Sequence, residues 1–128
     1  MKLEEFSQDD FERASRRLVR SLTRGKTTSS QPKAILLGGQ SGAGKTTIHR
    51  IKQREFQGNI IIIDGDSYRS FHPNYLGLQE KYGKDSVDYT KVFAGQMVEY
   101  LVDELSKQGY HLLVKVIFRT TEVPRKIL

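Results

Sequence analysis

Residues 38–47 (GGQSGAGKTT) have the types and spacing of a loop that binds the phosphates of a nucleotide. Gly39, Gly44, Lys45 and Thr46 occupy the fixed positions of the pattern G-x-x-x-x-G-K-[ST]. Glycines let backbone N–H groups close around a phosphate, the lysine attracts the β- and γ-phosphates, and the threonine offers an oxygen to Mg²⁺. The predicted nucleotide contacts are Gly39, Gln40, Ser41, Gly42, Ala43, Gly44, Lys45, Thr46 and Thr47.

Two other interpretations of this stretch fit less well. A dinucleotide-binding fingerprint built on Gly42 and Gly44 needs a third small residue where the sequence has Thr47, and it gives Lys45 no role. A simple turn between a strand and a helix does not require a lysine and a threonine at this offset. The sequence therefore favours a site for a nucleoside triphosphate.

Apolar segments on both sides of the loop predict the strand and the helix that a phosphate loop joins. Residues 33–37 (KAILL) form a short apolar run bounded by proline and glycine, which is typical of a strand. After the loop, Ile48, Ile51 and Phe56 predict a helix that covers one face of a sheet.

Residues 59–66 (NIIIIDGD) predict a second strand that ends in two carboxylates. The isoleucines do not alternate with polar residues, which indicates a strand buried on both faces, as in a parallel sheet. Ligands of open α/β sheets bind beyond the carboxyl ends of the strands, so Asp64 and Asp66 are expected near the loop phosphates. Such an acid can hold Mg²⁺ or accept a proton from an attacking hydroxyl, and Asp64 is the candidate metal ligand alongside Thr46. The alternative is that either aspartate only caps the next segment.

Residues 67–88 are aromatic and polar without a clear period, and resemble an insertion on the substrate side of the site. A short helix is expected over 75–82. His72 precedes a proline, which favours an extended backbone, and we expect it to be a hydrogen-bonding surface residue.

The remainder predicts one long helix and a third strand. Thr90 is expected to start the helix and Gly109 to close it. Glu99 lies off the apolar stripe of this helix, so it faces either solvent or a pocket. Residues 111–118 (HLLVKVIF) predict the strand.

The first 25 residues predict an amphipathic basic helix, followed by a polar linker over 26–33. Ser7 and Asp10 form a capping pair, and apolar residues recur at helical spacing from about Gln8 to Thr23. The basic residues are Arg13, Arg16, Arg17, Arg20, Arg24 and Lys26. No aromatic residues interleave with them, so a solvated face is favoured over a nucleic-acid surface.

Length and composition fit a single domain over 1–128. The net charge is +6, which suits anionic partners such as nucleotides. The sequence has no cysteine, which excludes disulfides and thiolate metal sites and fits a reducing compartment such as the cytoplasm. No signal peptide or membrane span is visible, and we expect no membrane partner.

Several distinctive segments together resemble the zeta toxins of epsilon–zeta toxin–antitoxin systems, and most closely the PezT branch of that family. The segments are the phosphate loop, IIIIDGDSYRSFHPNY, KYGKDSVDYTK, MVEYLVDELSKQGY and RTTEVPRK. The resemblance implies an α/β, P-loop NTPase-like fold of the kinase type, with three layers and a mainly parallel sheet. It also implies a Mg²⁺-dependent kinase that moves the γ-phosphate of ATP or GTP to the 3′-hydroxyl of UDP-N-acetylglucosamine. A cognate epsilon- or PezA-type antitoxin is the implied inhibitor.

The resemblance assigns roles to five residues. Lys45 and Thr46 match the family's nucleotide and Mg²⁺ positions, and Lys45 is counted as catalytic. Asp66 matches the catalytic base. Glu99 and Arg119 match an acid and an arginine on the substrate side.

The sequence also departs from the family. Lys115, Val116 and Ile117 replace an acid, a glycine and a threonine, and Ile127 replaces a further threonine. The sequence ends near the middle of a family-length toxin, so the C-terminal half with its lid arginines is expected to be missing. These departures predict a weak or inactive kinase. They leave open a remnant that binds only nucleotide or antitoxin, and, less favoured, a basic nucleic-acid-binding protein.

Overall fold

The computed structural model describes residues 2–38 and 45–115, and it shows a small parallel sheet with helices on both faces. The helices are α1 (Gln8–Thr23), α2 (Lys45–Glu55), α3 (Tyr75–Tyr82) and α4 (Ser86–Gln108), and the strands are β1 (Ala34–Leu37), β2 (Ile61–Asp64) and β3 (Leu112–Lys115). Two 3₁₀ segments, Gly65–Phe71 and Gly83–Asp85, precede α3 and α4. None of the helices in these ranges is long and apolar enough to cross a membrane.

The strand order is β1–β3–β2, so the strand that comes last in the described chain lies in the centre. Each residue of β3 pairs with one residue on either side, and Leu37, Lys115 and Asp64 end the three strands in one row. The isoleucine run is buried on both faces as predicted, since Ile61 and Ile63 belong to one core cluster and Ile60 belongs to the other.

Helix α4 covers one face of the sheet with its apolar stripe. The stripe comprises Phe93, Met97, Leu101 and Leu105, all 0% exposed. The helix begins at Ser86 rather than at the predicted Thr90, because Thr90 is buried inside the helix and its hydroxyl donates a hydrogen bond to the Ser86 carbonyl at 3.3 Å. Gly109 ends the helix as predicted, in the left-handed conformation with φ 98°.

Helix α1 packs beside α4 on the same face and has the predicted bounds. The Ser7 hydroxyl accepts a hydrogen bond from the Asp10 N–H at 3.1 Å, and the Asp10 carboxylate accepts one from the Ser7 N–H at 3.3 Å. This reciprocal cap satisfies two N–H groups that a helix start leaves free. Phe11, Ala14 and Leu18 are buried, whereas the basic side of the helix is exposed.

Helix α2 covers the opposite face more sparsely. Phe56, just beyond its end, packs against a small cluster formed by Leu37, Ile60 and Leu113. Ile48 and Ile51 are 40% and 54% exposed, so the prediction that they cover the sheet was wrong. The helix is rotated instead, with residues 49 and 53 partly buried on the side of Phe56.

His72 is buried, at 3% exposure, so its prediction as a surface residue was wrong. Its Nδ1 accepts a hydrogen bond from the Asn74 N–H at 3.0 Å. Nε2 therefore carries the proton and donates a hydrogen bond to the Glu4 carbonyl oxygen at 2.9 Å. The Asn74 amide also donates to the Leu3 carbonyl at 3.0 Å. These bonds attach the N-terminal segment to the loop before α3.

The residues between α1 and β1 are attached to the amino ends of the strands. Thr27 and Asn59 exchange two hydrogen bonds, of 2.8 and 3.1 Å. The Ser29 N–H donates to the Gly109 carbonyl at 2.8 Å. This segment therefore lies at the end of the sheet opposite to the carboxyl edge.

Candidate functional site

The carboxyl edge of the sheet joins the flanks of the predicted phosphate loop. Strand β1 ends at Leu37 and leads through Gly38 toward the loop, and α2 begins at Lys45 directly after it. Gly39, Gln40, Ser41, Gly42, Ala43 and Gly44 lie outside the described residues, as do the side chains of Lys45 and Thr46. Thr47 is exposed in the first turn of α2. The nucleotide contacts of these residues therefore stay a prediction.

Asp64 lies at the end of β2, two strands away from the end of β1. Adjacent strands are about 4.8 Å apart, so this carboxylate lies roughly 10 Å from the point where the chain enters the loop. One oxygen, Oδ1, accepts a hydrogen bond from the Asp66 N–H at 3.2 Å and caps the 3₁₀ segment. The capping alternative thus accounts for one oxygen, and Oδ2 has no hydrogen bond to the described residues, among which the side chains of Lys45 and Thr46 are not counted.

Asp66 is presented at the surface next to a guanidinium group. Its side chain is 40% exposed, and the Arg69 Nε lies 3.9 Å from its Oδ1. The same Nε donates a hydrogen bond to the Asp66 carbonyl at 3.3 Å, which fixes Arg69 beside the carboxylate. A carboxylate in this position can accept a proton from a hydroxyl that approaches the carboxyl edge.

Helix α4 packs against the segment that carries both aspartates. A Cβ atom at Gly65 would lie 3.0 Å from Val98 Cγ2, so this close approach favours a glycine between Asp64 and Asp66. Glu99 follows Val98 and is exposed. The structure thus places Glu99 one residue from this contact, whereas Arg119 lies outside the described residues. The roles of both in substrate binding stay predictions.

Lys115 lies at this edge, at the end of β3. The strand and loop patterns did not predict its position beside Asp64. It is half-buried and directly beside Asp64 in the strand register. Burial and, after it, the nearby Lys115 lower the pKa of His49 on α2, while Asp64 opposes this shift. The sequence did not single out His49. It lies four residues after Lys45 and therefore on the same face of α2.

Tyr68 lies between the site and the core, and the sequence did not single it out. It is 3% exposed, and its hydroxyl has no hydrogen-bond partner among the described residues. Burial raises the pKa of Tyr68 to about 12, although the nearby peptide group of Asp64 opposes part of this shift without meeting hydrogen-bond geometry. A buried hydroxyl without a partner is destabilising.

The donor chemistry at this edge fits Mg²⁺ that arrives with a nucleotide. Mg²⁺ takes oxygen ligands, keeps several waters, and uses one or two carboxylates together with phosphate oxygens. In the part of the chain that the structure describes, no cluster of three or more His, Cys, Asp or Glu residues could hold a metal by itself. The second carboxylate oxygen of Asp64, Oδ2, would therefore be one ligand in a set that phosphate oxygens complete.

Comparison with known proteins shows the family to which the chain belongs. Residues 18–128 match the family model described as Zeta toxin. Toxin PezT of Streptococcus pneumoniae is 64% identical over 126 residues, which are 98% of this chain and 50% of that protein. Toxin zeta of Streptococcus pyogenes is 39% identical over 119 residues, which are 93% of this chain and 42% of that protein.

A solved structure from the PezAT chromosomal toxin–antitoxin system of S. pneumoniae has the same fold, with a TM-score of 0.92 at 65% identity. The match covers 98% of this chain and 52% of that one, so the chain spans about half the length of the relatives it matches. The predicted α/β fold of the P-loop kinase type, with a parallel sheet between helices, is confirmed. Since the family model covers most of its length, the chain belongs to the Zeta toxin family.

Proposed function

We propose that this chain is part of a zeta-toxin-type kinase, the toxin of a toxin–antitoxin pair, that uses ATP or GTP to phosphorylate UDP-N-acetylglucosamine on its 3′-hydroxyl. The observation that carries the proposal is the carboxyl edge of the sheet. It holds Asp64 and, just after it, Asp66, together with the end of β1 that leads into a G-x-x-x-x-G-K-[ST] loop and the helix after it. A solved structure 65% identical to the chain shares this arrangement of elements.

In this reaction Asp66 accepts the proton of the 3′-hydroxyl. The hydroxyl oxygen forms the new bond to the γ-phosphorus while the bond from that phosphorus to the β–γ bridging oxygen breaks, and ADP or GDP leaves. Lys45 attracts the β- and γ-phosphates, and Thr46 and Asp64 would hold Mg²⁺. When bound, that ion neutralises phosphate charge. Glu99 and Arg119 would orient the sugar nucleotide.

The proposed base can be tested in a full-length homologous context, with UDP-N-acetylglucosamine, Mg²⁺ and either ATP or GTP, and with mass spectrometry to detect the phosphorylated sugar nucleotide. Asp66→Asn should lower turnover by about 10²–10⁴-fold, the usual contribution of a positioned general base. Nucleotide affinity, measured by calorimetry, should change little. Asp88→Asn is the matched control, because Asp88 is an exposed aspartate at the start of α4. Reduced nucleotide affinity with unchanged turnover at saturation would instead assign Asp66 to the metal or to structure.

Nucleotide binding is tested separately from turnover. Lys45→Ala should abolish binding of Mg²⁺·ATP and Mg²⁺·GTP, because the loop loses the charge that attracts the β- and γ-phosphates. Lys91→Ala, at an exposed position of α4, should bind as the wild type does. Circular dichroism of each variant checks that the fold is present. Equal affinity in wild type and Lys45→Ala would contradict the proposed site.

Binding without catalysis is the second candidate, and Lys115 favours it. An ammonium group cannot accept a hydrogen bond from a sugar hydroxyl, so Lys115 cannot replace an acid that would hold the acceptor. This candidate predicts that nucleotide binds and that no phosphorylated sugar nucleotide forms.

The proposed protein partner is an epsilon- or PezA-type antitoxin, because the related structure comes from the PezAT system. Co-expression of the chain with PezA tests this partner. A complex that survives size-exclusion chromatography supports the pairing, and separate elution contradicts it.

A further inference from the structure

Lys115 and Asp64 lie side by side at the carboxyl edge of the sheet. They are paired in the register of parallel β2 and β3, and paired side chains on adjacent strands point to the same face. Two residues earlier on each strand, Leu113 and Ile62 belong to the cluster that packs with Phe56. Because side chains alternate along a strand, Lys115 and Asp64 also face the α2 side, where the helix that follows the phosphate loop lies.

Among the described residues, the charged groups of Asp64 and Lys115 have few hydrogen-bond or ion-pair partners. One carboxylate oxygen of Asp64 accepts a hydrogen bond from the Asp66 N–H. Lys115 forms no ion pair within 4.0 Å and no hydrogen bond in the described part of the chain, although it is half-buried. Both groups act electrostatically on His49 of α2, as expected for side chains that face this helix. In the same row of strand ends, β1 contributes only the apolar Leu37.

A fixed ammonium at this position does two things that Mg²⁺ otherwise does. It would supply positive charge to the phosphates of a nucleotide bound at this edge, and it gives the Asp64 carboxylate a cationic neighbour. A divalent cation that enters the same place meets a like charge and a carboxylate that is already partly compensated. We propose that Lys115 is a resident cation at this edge, which competes with Mg²⁺ for Asp64 and lets the chain bind nucleoside triphosphate with little dependence on the metal.

The inference rests on the proposed nucleotide site, and calorimetry of ATP binding in excess Mg²⁺ and in excess EDTA tests it. The wild type should bind ATP with similar affinity in both conditions. Lys115→Met keeps the length of the side chain and removes its charge, so binding in EDTA should weaken by about tenfold, the size expected for one close charge near a protein surface. Binding in Mg²⁺ should weaken less, because the metal regains an unhindered carboxylate.

Two variants control this experiment. Lys115→Arg keeps the charge and should keep the metal-independent binding, which also guards against a fold defect at this position. Lys84→Met removes an exposed lysine from the segment before α4 and should leave the ratio of the two affinities unchanged.

The outcomes separate this inference from the proposed function. A wild type that needs Mg²⁺ as strongly as Lys115→Met does would overturn the inference and leave the nucleotide site in place. Absence of ATP binding by the wild type in both conditions would overturn the proposed function, and the inference with it. A tenfold change in the ratio of the two ATP affinities in Lys84→Met would also contradict a specific role for Lys115.

Discussion

The two faces of the sheet differ in how completely they are covered. On the α4 side, Phe93, Met97 and Leu101 are 0% exposed. On the α2 side, Ile48 and Ile51 are 40% and 54% exposed. The difference separates two tasks, because the α4 face supplies most of the buried apolar surface, whereas the charged side chains at the carboxyl edge turn toward the α2 face. Substitutions on the first face should therefore act on stability, and substitutions on the second should act on ligand binding.

Removal of a large side chain from the α4 face should have the largest effect. Phe93→Ala is expected to lower the free energy of unfolding by about 3–5 kcal/mol, because it removes buried apolar contacts and leaves a cavity. Urea unfolding followed by circular dichroism measures this loss. Val92→Ala is the matched control, since the neighbouring Val92 is 56% exposed. Similar losses in the two variants would show that the α4 face does not dominate stability.

A substitution at Tyr68, which belongs to the same core cluster, is expected to increase stability rather than reduce it. Tyr68→Phe should raise the free energy of unfolding by about 1–2 kcal/mol, because it removes a buried hydroxyl that has no partner among the described residues. Thermal or urea unfolding near neutral pH measures the gain. A loss of stability would mean that the hydroxyl is hydrogen-bonded in solution.

The pH dependence of this gain sharpens the test. The pKa of Tyr68 is raised from 10.0 in an ordinary tyrosine to about 12 in the folded chain. The unfolded state therefore releases the proton first, and wild-type stability that is fully present below pH 10 falls as the pH rises toward 12. Tyr68→Phe lacks this contribution, so its advantage over the wild type should increase between pH 10 and 12. A constant advantage across this range would contradict a raised pKa.

The cap of α1 should have a smaller effect. Ser7→Ala is expected to cost about 1 kcal/mol of unfolding free energy, because the Asp10 N–H loses its acceptor. Urea unfolding measures the loss, with Ser21→Ala as the control at an exposed position inside the same helix. If Ser7→Ala unfolds only α1 and leaves α4 intact, the α4 face would prove less cooperative than its packing indicates.

The smallest effect is expected on the α2 face. Ile51→Ala should change the free energy of unfolding by no more than about 0.5 kcal/mol, because the side chain is largely exposed and alanine favours a helix. The same urea experiment measures it. A cost close to that of Phe93→Ala would mean that Ile51 is covered in solution, and the contrast between the two faces would disappear.

The sequence predicted the elements well wherever local signals were strong. Apolar runs located the three strands, although residues 116–118 of the predicted third strand lie outside the described residues, and the capping pair located α1. Helical periodicity found α2 but not its orientation, because residues 48 and 51 and residues 49 and 53 fit a helix equally well until a sheet selects one side. His72 was misjudged because its burial depends on the N-terminal segment, which is distant in sequence.

For the candidate site, only the placement of some residues was predictable from the sequence. The rule that ligands bind at the carboxyl ends of parallel strands put Asp64 and Asp66 at the correct edge of the sheet. The neighbour relation between Asp64 and Lys115 was not predictable, because register is set by packing between segments far apart in the chain. The roles of the loop residues, Glu99 and Arg119 remain predictions.

The position of β3 between β1 and β2 has a consequence for synthesis of the protein. The two outer strands cannot pair with each other, and bonds across the sheet join residues as far apart as Lys33 and His111, separated by 78 positions. Contacts of such long range form slowly. On the ribosome, α1 can form as soon as it emerges, whereas the isoleucine-rich strand waits unpaired until β3 has been made. During that interval, four adjacent isoleucines remain open to association with other chains. The pace of translation between residues 61 and 115 should therefore govern how much of the protein is recovered folded.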